Sequence, residues 1–108
     1  MQGILIKNNN RFLETLRKYP PVALLTRKCN KDYRVPKSDI RLEKGIGVGI
    51  PVLALHMDPE YYPNPEKFDP ERFSEENKNS RPAFTWLPFG EGPRLCIGKT
   101  LDYVLSFV

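Results

Sequence analysis

The chain has 108 residues, with 17 Lys and Arg against 13 Asp and Glu, 11 Pro, 7 Gly and 2 Cys, which leaves room for one modest domain or part of a larger one. Its 40% hydrophobic and 28% charged residues exclude a disordered tail, no apolar run approaches the length of a membrane-spanning helix, and Ile4-Leu5-Ile6 is too short for a secretory signal. Two distant cysteines make neither a disulfide framework nor a four-ligand zinc site, and a net charge of +4 does not by itself call for nucleic acid or an anionic membrane.

Proline, at about twice its usual share, sets the punctuation. From Asn10 to Tyr19 there is none, and Phe12, Leu13 and Leu16 share one face of a helix. Asn10 is its expected N-cap, and Pro20-Pro21 ends it. Val22 to Cys29 reads as a strand, and Lys31 to Pro36 as a second short strand with a turn. Ile40-Arg41-Leu42 alternates, and Lys44-Gly45 turns the chain. Val48 to Leu55 is a further apolar segment in which Pro51 suggests an edge or a bulge.

From Met57 to Pro93 seven prolines alternate with Tyr61, Tyr62, Phe68, Phe73, Phe84, Trp86 and Phe89. No long helix or central strand fits there, yet such aromatic density belongs to a packed segment rather than a linker. Beyond Gly98, Leu101, Val104, Leu105 and Val108 fall at helical spacing, so a final helix is expected. Cys29 and His56, the only histidine, have no catalytic context. Core packing is expected of the first and a structural hydrogen-bonding role of the second.

Chemistry concentrates in Leu87-Pro88-Phe89-Gly90-Glu91-Gly92-Pro93-Arg94-Leu95-Cys96-Ile97-Gly98. A cysteine just before a helix meets free backbone N–H groups and a positive dipole end, both of which favour thiolate. Gly92 and Gly98 permit backbone conformations closed to other residues and let a flat ligand approach. Phe89 is expected to shield the sulfur from water, and Arg94 is a fixed cation for an acidic ligand group. A thiolate beside an arginine suits an iron ligand or a nucleophile. The nucleophile reading lacks a base, since His56 stands forty residues from Cys96.

Phe89-x-x-Gly92-x-Arg94-x-Cys96-x-Gly98 resembles the haem-binding loop of the cytochrome P450 family. Glu14-Thr15-Leu16-Arg17 is similar to the family's Glu-x-x-Arg helix, and Pro70-Glu71-Arg72-Phe73 to the segment between the two. Through Glu14 to Pro21 and His56-x-Asp58-Pro59 the chain resembles the microsomal, xenobiotic-oxidising branch most. The resemblance implies a haem cofactor with Cys96 as the thiolate ligand to iron. Pro88, Phe89, Gly90 and Gly98 would shape the haem-binding loop, and Arg27 and Arg94 would reach the propionates. Glu14, Arg17 and Arg72 would form a buried structural triad. Pro21, Val22, Ala23, Leu24 and Leu25 would border a pocket for a lipophilic small-molecule substrate. Electrons would come from an NADPH-dependent reductase, with Arg81 and Lys99 as weak candidates to face it. The full-length parent would sit on the cytoplasmic face of the endoplasmic reticulum membrane.

The expected fold class is α+β, a C-terminal, proximal-face piece of a mostly helical parent fold. Residues 12–98 would be the partial family domain and residues 1–11 an extension unlike it. Residues 99–108 would be an atypical helix, with Asp102 where the family carries a small residue, conceivable as intron read-through after Gly98. Thr15, Thr26, Thr85 and Thr100 all lie outside the acidic-Thr context of the family's oxygen-activating helix. The reading is therefore a haem-thiolate monooxygenase fragment. Its alternative is a catalytically incompetent truncated product that at most binds haem or redox partners.

Overall fold

The computed structural model describes residues 2–96. Gly98, Lys99 and the expected final helix lie outside them.

The first helix, α1, runs Gln2–Lys18. It starts eight residues before the expected N-cap: Asn10 is buried inside it. An interior asparagine costs a helix only about 0.7 kcal/mol or less, too little to stop one when no proline intervenes. Its end does fall before Pro20-Pro21, with Tyr19 N–H still donating to the Thr15 carbonyl at 2.8 Å. The apolar face is thinner than its pattern suggests. Leu13 is buried and Phe12 and Leu16 are half-buried, while Glu14 and Arg17 are fully buried.

Two small antiparallel sheets follow. β1 (Leu25–Lys28) pairs with β4 (Gly47–Ile50), with Leu25 opposite Ile50 and Arg27 opposite Val48. β2 (Tyr33–Arg34) pairs with β3 (Arg41–Leu42). The first strand is shorter than Val22–Cys29, because Val22 and Leu24 stay exposed and unpaired. Gly45, at φ +94°, makes the turn into β4, a region where a Cβ would strain the chain. Val48 to Leu55 is not one segment. Pro51 has no N–H for a ladder, so β4 stops before it and α2 (Val52–His56) begins after it. Leu53 N–H donates to the Ala23 carbonyl at 3.1 Å, holding α2 against the chain entering β1.

The proline-rich segment is irregular but locally capped. Asp69 accepts a hydrogen bond from Glu71 N–H at the head of a 3-10 turn, Pro70–Phe73. Ser74 caps α3 (Glu75–Ser80), which occupies the widest proline-free gap of the segment. The core between this segment and α1 consists of Leu13, Tyr62 and Phe73, flanked by Phe12, Tyr61 and Trp86. Phe73 meets Trp86 edge-on with centroids 5.7 Å apart. Arg81 lies over both Tyr62, at 4.8 Å, and Phe73, at 5.0 Å. Burial pushes the Tyr62 phenol upward in pKa, so its hydroxyl stays protonated and donates to the Thr85 carbonyl at 2.9 Å. Arg81 also donates to the Arg72 carbonyl at 2.7 Å, so this half-buried side chain is a packing element rather than a free surface charge.

Candidate functional site

The loop that carries the cysteine has an inner and an outer half. Leu87, Pro88, Phe89 and Gly90 are buried, and Glu91 to Cys96 are exposed. Gly90 and Gly92 adopt φ of +76° and +80°, conformations that cost other residues about 1–2 kcal/mol. Gly90 N–H donates to the Leu87 carbonyl at 3.2 Å. Pro93 sits in a single 3-10 turn, Gly92–Arg94, and Cys96 N–H returns to the Phe89 carbonyl at 3.0 Å. The loop is thus closed on itself, and Cys96 stands on it as a free, exposed thiol. Phe89 is buried, with 5% exposure, while Cys96 is exposed. The helix expected to raise thiolate character lies outside the described residues.

Gly90→Ala is expected to cost about 1–2 kcal/mol through the left-handed conformation alone. A Cβ built there meets Arg27 Nη2 and Leu25 Cδ1 at an ordinary 3.7 Å, without a clash. Gly92→Ala, in open space at a similar φ, should cost the same within experimental error. Urea unfolding of the two variants checks this, and a cost several-fold larger at Gly90 would contradict it.

Arg27 reaches this loop across the sheet. It alternates inward with Leu25 on β1, and its Nη1 donates to the Thr26 carbonyl at 2.8 Å. It lines two cavities. One, about 560 Å³, is cationic, with Arg27 and Arg94 joined by Lys28. The other, about 330 Å³, is largely apolar, walled by Leu25, Ile50, Leu55, Phe84 and Leu87, with Arg27 and Glu91 at its polar margin. Among the described residues neither Arg27 nor Arg94 forms an ion pair. Of the residues expected to border a substrate pocket, Leu25 lines the apolar cavity, while Pro21, Val22, Ala23 and Leu24 are exposed.

The second constellation is buried. Arg17 Nε donates to Glu14 Oε2 at 2.7 Å and Nη2 to Oε1 at 2.8 Å, a bidentate pair. Arg72 Nε approaches Glu14 Oε1 at 3.5 Å, close enough for attraction but not aligned for a hydrogen bond. Arg17 also donates to the carbonyls of His56, at 2.8 Å, and Pro65, at 2.7 Å. Glu14 Oε1 accepts Asp69 N–H at 3.0 Å. Glu14, Arg17 and Arg72 therefore meet, away from both cavities lined by Arg27, and fasten the irregular segment onto α1.

His56 completes the connection. Its ring is fully buried. Nε2 accepts Leu87 N–H at 2.8 Å, so the ring proton sits on Nδ1, 3.2 Å from the Arg17 carbonyl. Burial is the main cause that pulls its pKa down to about 4; the bond to the Arg17 carbonyl opposes it, and the Arg17 charge assists. Cys29, half-buried, donates to the Lys31 carbonyl at 2.9 Å and belongs to neither constellation. The cavity residues Ile50, Leu55 and Phe84 carried no sequence signal, because strand register and loop path decide their side. Ile50 lies opposite Leu25 in that register.

The cysteine loop borders both cavities: Glu91 and Gly92 line the apolar one and Arg94 the cationic one, Arg27 lines both, and Cys96 is an exposed thiol on the same loop. The family model described as Cytochrome P450 matches residues 9–108. Cytochrome P450 6k1 of Blattella germanica is 60% identical over 91 residues, covering 84% of this chain and 17% of that protein. Cytochrome P450 9e2 of the same species is 60% identical over 87 residues, covering 80% and 16%. The probable cytochrome P450 6a23 of Drosophila melanogaster is 47% identical over 113 residues, covering 91% and 22%. The chain belongs to the cytochrome P450 family, and it spans less than a quarter of the length of these curated relatives.

Haem is the family's cofactor, and the residues present fit it. The thiol is a soft ligand suited to iron, the apolar cavity matches an apolar macrocycle, and the free arginines match its two carboxylates. Among the described residues no helix is long and apolar enough to cross a membrane.

Proposed function

We propose that this chain forms the cysteine-ligand face of a haem-thiolate monooxygenase of the microsomal, xenobiotic-oxidising kind. Cys96 holds the iron as thiolate. Bound there, haem supplies the oxygen chemistry, in which one atom of O2 enters a lipophilic substrate and the other leaves as water, the thiolate favouring O–O cleavage. Arg27 and Arg94 bind the propionates by charge-assisted hydrogen bonds. Pro88, Phe89, Gly90 and Gly98 shape the loop that presents the sulfur. Glu14, Arg17 and Arg72 keep that loop's support in register, and Pro21, Val22, Ala23, Leu24 and Leu25 border the substrate space. Electrons come from an NADPH-dependent reductase at the cytoplasmic face of the endoplasmic reticulum membrane. The observation that carries this reading is the place of Arg27. Its guanidinium joins the apolar cavity to the cationic cavity and packs beside Gly90 of the cysteine loop.

The test is spectroscopic. The purified chain is given haem, reduced and exposed to carbon monoxide. A thiolate-type Soret shift that Cys96→Ala abolishes is the expected result. Failure of the wild-type chain to take up haem, or a shift that survives Cys96→Ala, overturns the ligand assignment.

A second reading, a catalytically incompetent product, is favoured by the apolar surface left open around the site, where Phe84 is 68% and Leu24 51% exposed. On this reading haem would be held on one face only, and the site needs its other face to exclude water and hold substrate. Oxygenation assays with reductase separate the two readings. The expected result for this chain alone is no turnover, with haem weakly retained.

A further inference from the structure

We propose that His56 is a positioning residue for the cysteine loop, tying the helix of Glu14 and Arg17 to the first residue of that loop through its neutral ring. The tie is a chain of hydrogen bonds with one direction. Arg17 C=O accepts from His56 Nδ1–H, and His56 Nε2 accepts from Leu87 N–H at 2.8 Å. Leu87 C=O then accepts Gly90 N–H, and Phe89 C=O accepts Cys96 N–H at 3.0 Å. Arg17 returns the bond by donating Nη1 to the His56 carbonyl at 2.8 Å, so helix and histidine hold each other at two points.

The ring nitrogen is the sole partner of Leu87 N–H among the described residues. Losing it strands a buried donor, which costs about 1–3 kcal/mol, and frees the turn from which Cys96 is hung. Only the neutral ring can serve. A proton on Nε2 would face the Leu87 N–H donor head-on. The charged and titratable groups around the ring are Arg17 and its partner Glu14 from α1, and Tyr62, whose ring stands edge-on at 6.4 Å. The cysteine loop contributes the uncharged Leu87 amide.

The test needs no haem. Amide hydrogen exchange is followed in the full chain at neutral pH. In His56→Phe the Leu87 and Cys96 amides are expected to exchange about tenfold faster or more, the loss of one buried hydrogen bond, while α1 amides from Leu13 to Arg17 keep their protection. His56→Gln, whose side-chain carbonyl can accept Leu87 N–H, should recover much of the loss. Unchanged exchange at Leu87 in folded His56→Phe overturns the proposal. If that variant does not fold, the wild-type chain decides. The Leu87 amide resonance should shift with the same midpoint as the His56 ring on acidification, and an amide that stays still while the ring titrates overturns it. The consequence for iron rests on the haem reading above: in haem-loaded His56→Phe a smaller fraction should show the thiolate spectrum, with recovery in His56→Gln. An absent thiolate spectrum in the wild-type chain would sink the ligand assignment and leave the exchange result standing.

Discussion

Arg17→Met is expected to destabilise the chain by about 3–5 kcal/mol, the usual cost of removing one partner of a buried ion pair. Exposed pairs on helices are worth a few tenths, so burial decides the magnitude. Both side chains of the Glu14–Arg17 pair are fully buried. The guanidinium makes two bonds to Glu14 and two short ones to the carbonyls of His56 and Pro65. Methionine fills much of the volume but leaves two carbonyls unpaired and the Glu14 carboxylate with only the offset Arg72 contact and Asp69 N–H. The loss approaches the entire stability of the most marginal domains, about 5 kcal/mol. Urea unfolding at neutral pH measures it, and a change below about 1 kcal/mol, the scale of an exposed pair, contradicts the buried triad. Glu14→Gln/Arg17→Met should be milder than Arg17→Met alone, because no uncompensated charge remains inside.

The spatial sense of this cluster shows how unevenly structure is written in the chain. Glu14 and Arg17 stand three apart, so their contact follows from helix geometry. Arg72, 55 positions beyond Arg17, carries no local signal of joining them; its place came from family resemblance. The break at Pro51 was visible as a disturbance, but not as a switch from strand to helix, since a short apolar run fits either. The start of α1 was misplaced because asparagine is both a good cap and a tolerable interior residue. Arg27 and Arg94 are 67 residues apart and line one cavity. Their approach depends on the β1–β4 register and on the path of the loop through Gly90, beside which Arg27 and Leu25 pack. A cysteine with two glycines around it signals a tight loop, yet the local pattern says nothing of which face is covered. Phe89 is buried and Cys96 exposed. His56 drew only a structural expectation, because its two partners, Arg17 and Leu87, lie 39 and 31 residues away in opposite directions.

Acidification should reveal that histidine as a stability term. The folded-state pKa of His56 is about 4, against an ordinary value near 6.5 in the unfolded chain. Above pH 6.5 the ring is neutral in both states and contributes no pH dependence. Between 6.5 and 4 the unfolded chain takes up a proton that the folded chain refuses, so stability falls as pH falls. The whole shift corresponds to about 3 kcal/mol, with a limiting slope of about 1.4 kcal/mol per pH unit. Below 4 the ring is protonated in the folded state as well, and its contribution to the slope ends. Carboxylates add their own slope at the acid end, so the measurement is a difference. Unfolding free energies of the wild-type chain and His56→Gln are compared at several values from pH 7 to 4.5. The variant should start lower at pH 7, having exchanged an imidazole for a less well fitted amide, and should lose less on acidification. Parallel curves would mean that the ring titrates alike in both states, which its complete burial between Arg17 and Leu87 forbids. Because the same ring accepts the Leu87 N–H, its protonation is expected to release the tie that carries the cysteine loop.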